Sequence, residues 1–303
     1  MRDTEKDGQS KWAELSTERR SRFIKTICIV LAAVFVVGIA FAVWSLMRYY
    51  DASENTEAEV NVLRSERPIS TPRPSPSLTQ TTQPVHTSEA EQTLPPVMPE
   101  PTERIYEVSE HFAALYERNN DLAGWITIDG THVDYPVMLS PLDGEYYMRH
   151  NFEGKRDSHG LPFLDNRCEI APKSQIQIIY GHNINTGIMF HDLLLYQDEE
   201  FWKEHQYITY DTLYDEGVYQ IVAAFVFETW RLKPESFQFN RYTEFYAGIA
   251  TEKRFGNYKE NIEKLALYDT GLDFGLDDQL LILATCEYSA RNGRFVLLAK
   301  LVQ

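Results

Sequence analysis

The sequence has little cysteine and a deficit of positive charge. Only Cys28, Cys168 and Cys286 occur in 303 residues. So few thiols exclude a disulfide scaffold, and no CxxC or Cys/His spacing marks a metal site. No cofactor is expected, and acidic loops lack the ligand pattern of a calcium loop. The formal net charge is −16, which argues against a nucleic-acid partner, because phosphate binding needs a basic surface. No internal repeat is visible, and no small-x-small cleavage site closes the first apolar run before Trp44.

That run, "TICIVLAAVFVVGIAFAVWSLM", covers residues 26–47 without a charge. It has the length of a membrane-crossing helix, ~20 residues. Arg19, Arg20, Arg22 and Lys25 precede it, whereas Asp51, Glu54, Glu57 and Glu59 follow. The positive-inside bias puts residues 1–25 in the cytoplasm and everything after the span outside the cell. An uncleaved signal-anchor fits better than a signal peptide, whose apolar region is shorter. Cys28 then lies in the span as a small apolar filler.

Residues 48–103 are expected to form a disordered tether. Their run "RPISTPRPSPSLTQTTQPVHTSEAEQTLPPVMPEPTE" is rich in Pro, Ser, Thr, Gln and Glu. Such a composition buries too little apolar area to offset its ordering entropy. A coil of ~50 residues spans roughly 40 Å.

The folded domain is expected over 104–303, long enough for one sizeable core. It opens with a helix in "EVSEHFAALYERN", where Val108, Phe112, Leu115 and Tyr116 share a face. Short strands follow: "GWITIDG", "VDYPVML", "LPFLD", "IQIIYGH", "QYITYDT", "VYQIVAAFVFE", "LLILATC" and "RFVLLAKLV". Gly, Asp, Asn and Pro punctuate them. Helical stretches are expected in "GIMFHDLLLY" and from Tyr242 to Leu267. The domain is therefore mainly β with added helices, most simply a closed barrel.

Three residues carry candidate chemistry. In "LLILATC" the alternation sets Ile282, Ala284 and Cys286 against Leu281, Leu283 and Thr285, with Cys286 ending the strand. Asn292-Gly293 is a turn signal, so Arg294 opens the returning strand beside Cys286. A core thiol with a solvated arginine fits these residues equally well. His182 changes the balance, because it closes the apolar strand "IQIIYGH". An unperturbed thiol is mostly protonated at neutral pH, so a nucleophilic cysteine needs a base or cation nearby. His111, His132, His150, His159 and His205 have no comparable strand-end setting, and His191 reads as a surface residue on its helix.

The stretch "LLILATCEYSARNGRFVLLAKL" resembles the signature of sortases, a TLxTC strand end followed by an arginine that opens the next strand. "IIYGHN" with "GIMFHDLLLY" is similar to the sortase histidine segment. "NNDLAGWITIDGTHVDYPVMLSPLDGEYYMRHNFEGKRDSHGLPFLDNRC" and "LYDTGLDFGLDDQLLILATCEYS" resemble class B members, as do the leading helix and the helical insertion before the cysteine strand. The resemblance covers roughly residues 105–303. Ile282 and Ala284 depart from the strand signature conservatively, and Arg291 lies near Arg294, which alone follows Asn-Gly directly.

The resemblance implies a sortase-type barrel and a cysteine transpeptidase of a Gram-positive cell wall. It implies Cys286 as nucleophile, His182 as proton carrier and Arg294 as oxyanion or substrate donor. The backbone N–H of Glu287 is a second oxyanion donor, Thr285 is first a packing residue, and Tyr288 is a candidate groove residue. Implied partners are surface proteins bearing a sorting signal and a peptidoglycan precursor or cross-bridge amine. Rival readings are a pilus-assembling or mainly hydrolytic sortase, and a membrane-anchored adhesion domain with an incidental cysteine.

Overall fold

The computed structural model describes residues 3–67, 105–228, 237–240, 250–287 and 293–303, and for 3–21, 286 and 287 the backbone alone. The chain divides into two compact units, Met1–Glu54 and Asn55–Gln303. The first helix, α1, runs Asp3–Glu66. Its Arg22–Glu66 part contains a window of mean hydropathy 2.9 with nothing buried, long and apolar enough to cross a membrane.

The end of α1 corrects the expected tether. The tether expectation began at residue 48, yet the chain is helical to Glu66. Thr56, Val60 and Leu63 are buried. Their spacing is that of one helix face. The stretch contains no proline before Pro68, so the composition that defeats packing starts later than the helix ends. Burying Val60 and Leu63 stabilises this packing by roughly 1.5–3 kcal/mol each. Arg64 adds a hydrogen bond from Nε to the Asp134 carbonyl at 2.9 Å and lies 5.2 Å from the Tyr135 ring centroid. The rest of the expected tether, 68–103, lies outside the described residues.

The second unit is built on eight strands among the described residues. They are β1 (Leu122–Thr127), β2 (Asp134–Met138), β3 (Phe163–Leu164), β4 (Ile176–Tyr180), β5 (Tyr207–Thr212), β6 (Val218–Glu228), β7 (Leu280–Glu287) and β8 (Gly293–Leu301). They close into a barrel in the order β1-β2-β3-β4-β7-β8-β6-β5. The expected mainly β, closed-barrel fold is therefore present. The leading helix is α2 (Ala113–Arg118), and α3 (Glu199–Glu204) lies between β4 and β5. The short helix expected in "GIMFHDLLLY" is a 3₁₀ helix over His191–Gln197. Of the helical stretch expected over 242–267, the described part is α4 (Glu252–Leu265). Thr251 caps it by accepting from the Arg254 N–H, and the helix buries Phe255, Tyr258 and Ile262.

The central strands are buried on both faces, which explains their nearly continuous apolar sequence. Leu281, Leu283, Phe295 and Leu297 join the main core. Ile282, Ala284, Val296 and Leu298 pack on the other side, with Phe255, Tyr258 and Ile262 of α4. The helical insertion before β7 thus covers the outer face of the strands that carry the candidate cysteine and arginine.

Candidate active site

Two neighbouring pairings set the site. Strand β4 runs parallel to β7, with Tyr180 opposite Ala284. Two residues further along each strand direction come His182 and Cys286, and the Gly181 N–H donates to the Ala284 carbonyl at 3.1 Å between them. Strand β8 returns antiparallel to β7, with Cys286 opposite Arg294 and Glu287 opposite Gly293. The three chain positions thus meet at one rim of the barrel. Strand β7 continues one residue past Cys286, which the sequence had made the last of its strand, because Glu287 still finds a partner in Gly293. Tyr288 lies outside the described residues.

A cleft of ≈ 750 Å³ opens at this rim. His182, Thr285 and Arg294 all line it. The His182 Nε2 stands 2.8 Å from the Met148 carbonyl oxygen. A carbonyl oxygen only accepts, so Nε2 carries the hydrogen and Nδ1 holds the lone pair of the neutral ring. Burial holds His182 below the ordinary histidine value. The bond to Met148 works against that shift, and the charges of Arg149, His159 and Arg294 add to it. The ring is therefore neutral at pH 7, with one free acceptor atom for a proton.

Arg294 is half-buried, and its guanidinium donates to the Gly293 carbonyl at 3.1 Å. Thr285 is 1% exposed, and its hydroxyl has no hydrogen-bond partner among the described residues. The expectation of a packing residue fits its burial, but no hydrogen bond accompanies it. Cys168 is a free, buried thiol that donates to the Ile176 carbonyl at 3.6 Å. Burial pushes it up to about 12, which leaves it inert as a nucleophile.

Sequence reasoning missed the far wall of the cleft. Buried Asp165 accepts from Arg167 Nε at 2.7 Å and from the Tyr180 hydroxyl at 3.1 Å. Asn240 donates to the same hydroxyl at 3.1 Å. These groups come from the β3–β4 connection, β4 and the segment before α4. In the sequence these residues lie in segments far apart, with no local pattern that marks them as one wall. His159 was also passed over. It is 2% exposed, beside Asp157 and Thr56. His191, read as a surface residue, is half-buried, with Nδ1 2.7 Å from Asn183 Oδ1.

An eight-stranded closed barrel with a cysteine, a histidine and an arginine at one rim sets the comparison with known proteins. No protein-family model matches the chain. Sortase B of Listeria monocytogenes is 31% identical over 204 residues, spanning 65% of this chain and 76% of that protein. The Staphylococcus aureus sortase B–substrate complex has 26% identity and a TM-score of 0.57, covering 65% of this chain and 86% of that one. Sortase B of Clostridium perfringens, also 26% identical, gives a TM-score of 0.55 over 63% of this chain and 98% of that one. The chain belongs to the sortases, cysteine transpeptidases built on this barrel, and within them to class B.

Proposed function

We propose that this protein is a membrane-anchored transpeptidase that cleaves a C-terminal sorting signal after threonine and joins the surface protein to a cell-wall amine. The observation that carries the reading is the register around β7, with His182 in step with Cys286 on one side and Arg294 opposite it on the other. The solved substrate complex of the Staphylococcus aureus relative supports the cleft as the peptide groove.

Each role follows from chemical need. The Cys286 thiol passes its proton to His182 Nδ1, and the sulfur attacks the threonine carbonyl carbon. The negative charge on that oxygen meets the Arg294 guanidinium, which is always charged and carries a donor fork, and the Glu287 backbone N–H. The carbon–nitrogen bond breaks, and the imidazolium gives its proton to the leaving amine. The acyl group remains on sulfur as a thioester. An incoming amine attacks it, His182 Nδ1 takes the amine proton, the carbon–sulfur bond breaks, and the imidazolium returns its proton to the thiolate to regenerate the thiol. The thioester keeps the acyl group activated, so no nucleotide is consumed. Thr285 contributes to the cleft wall. The basic residues before the apolar span favour a cytoplasmic N-terminus and an extracellular barrel.

The test is a full-length chain in detergent, incubated with a library of sorting-signal peptides and analysed by intact mass. An acyl adduct is expected on the native chain and no adduct or cleavage with Cys286→Ala. Undiminished cleavage by Cys286→Ala sinks the reading.

A further inference from the structure

The Met148 carbonyl that holds His182 belongs to a tightly zipped loop. The Leu161 N–H donates to the Tyr147 carbonyl at 2.9 Å, and the Asp157 N–H to the Arg149 carbonyl at 2.9 Å. Met148 lies between these two rungs. The Asn151 N–H closes a third rung on the Lys155 carbonyl at 2.9 Å. Gly160 presses on the same spot from the returning leg. It has φ +57°, and a Cβ there would come 2.2 Å from the Tyr147 carbonyl oxygen and 2.6 Å from that of Met148. Only glycine permits that approach.

The last turns of α1 grip the loop at two points. The Thr56 hydroxyl donates to Asp157 Oδ2 at 2.8 Å and stands 3.3 Å from His159 Nδ1. The His159 N–H donates to Asp157 Oδ1 at 2.9 Å. Farther along, Asn151 donates to Glu59 Oε2 at 2.6 Å. Thr56 and His159 are buried, at 3% and 2% exposure, so the hydrogen bonds between them and Asp157 are shielded from competing water. Burial alone would raise Asp157, but the hydrogen bonds from His159 and Thr56 outweigh it and hold the carboxyl below its ordinary value.

We propose that Thr56, Asp157 and His159 are positioning residues for His182. The helix segment after the apolar span sets the loop, the loop sets the Met148 carbonyl, and that carbonyl sets the ring so that Nδ1 is the proton-carrying atom. This rests on the reading of His182 as the proton carrier. It assigns the end of α1 a part in turnover, beyond its part in packing.

The test uses the full-length chain with Thr56→Val, which keeps the shape and removes the hydroxyl, and Thr56→Ser, which restores it. Thr56→Val is expected to lower kcat roughly 10- to 100-fold with KM unchanged, as a displaced reacting group does. Thr56→Ser is expected to recover kcat. The imidazole ¹⁵N spectrum of His182 should lose its single Nε2–H form in Thr56→Val. Glu59→Gln, which weakens the second grip, should shift both readouts in the same direction, and it decides the matter if Thr56→Val does not fold. A Thr56→Val chain with a lower melting temperature but unchanged kcat and His182 spectrum would overturn the proposal. If instead His182→Ala keeps full turnover, the catalytic reading fails by itself, and the ¹⁵N spectrum still decides whether Thr56 sets the ring.

Discussion

His159 and His182 are linked by one loop, yet their surroundings differ. His159 is almost wholly buried against a carboxylate and a hydroxyl. His182 is half-buried on the cleft wall, against a backbone carbonyl, with Arg149 and Arg294 near enough to push its proton affinity down. A carboxylate ties an imidazole into a network and uses its N–H groups for holding structure. A carbonyl on one nitrogen, with cations around, leaves the other nitrogen as a basic atom open to exchange. The same side chain serves as a fastener in one place and as a proton carrier in the other.

The largest effect that sharpens this contrast is His182→Ala. It should lower kcat/KM on a sorting peptide by about 10³-fold or more, since both proton transfers lose their carrier. His159→Gln keeps hydrogen-bonding capacity at the fastener and should cost far less. Steady-state kinetics on the two variants reads the difference, and equal losses would erase the distinction. Next in size is Arg294→Lys. A lysine keeps the charge but loses the planar fork, and removing one oxyanion donor costs about 10²- to 10³-fold in kcat. Normal turnover in Arg294→Lys would contradict the role assigned to the guanidinium.

The strands were legible in the sequence because alternation and turn residues are local signals, and all eight appear where the pattern puts them. The rim positions of Cys286 and His182 were legible to within two residues, since β7 runs one residue past the cysteine and β4 stops two before the histidine, and the hairpin that brings Arg294 beside the cysteine was legible as well. The parallel pairing of β4 with β7 was not. Its partners Tyr180 and Ala284 are far apart in the chain, and no turn fixes the register of a parallel pair. His159 was illegible because its burial depends on the α1 segment, which reads as tether only when averaged with the prolines that follow it. The Asp165–Arg167–Tyr180–Asn240 wall has the same origin, since three separate segments supply it.

The smallest effect is on stability against pH, and it reads the setting of the His182 ring. His182 has a folded value below its ordinary one, so between those two values the unfolded chain binds more protons than the folded chain. Stability therefore rises with pH through that window, from the depressed value up to about 6.5, and this contribution is flat above it. One proton limits the slope to ~1.4 kcal/mol per pH unit, and partial exposure of the ring keeps the effect well below that limit. Other groups titrate in the same range, so the quantity to measure is the difference in urea-unfolding free energy between the native chain and His182→Gln at each pH. The native chain should lose stability relative to the variant as pH falls from about 7 toward 5. A gain on acidification would mean that the fold favours the imidazolium. His182 would then rest as an acid rather than a base, and its assigned part as the first proton acceptor would fail.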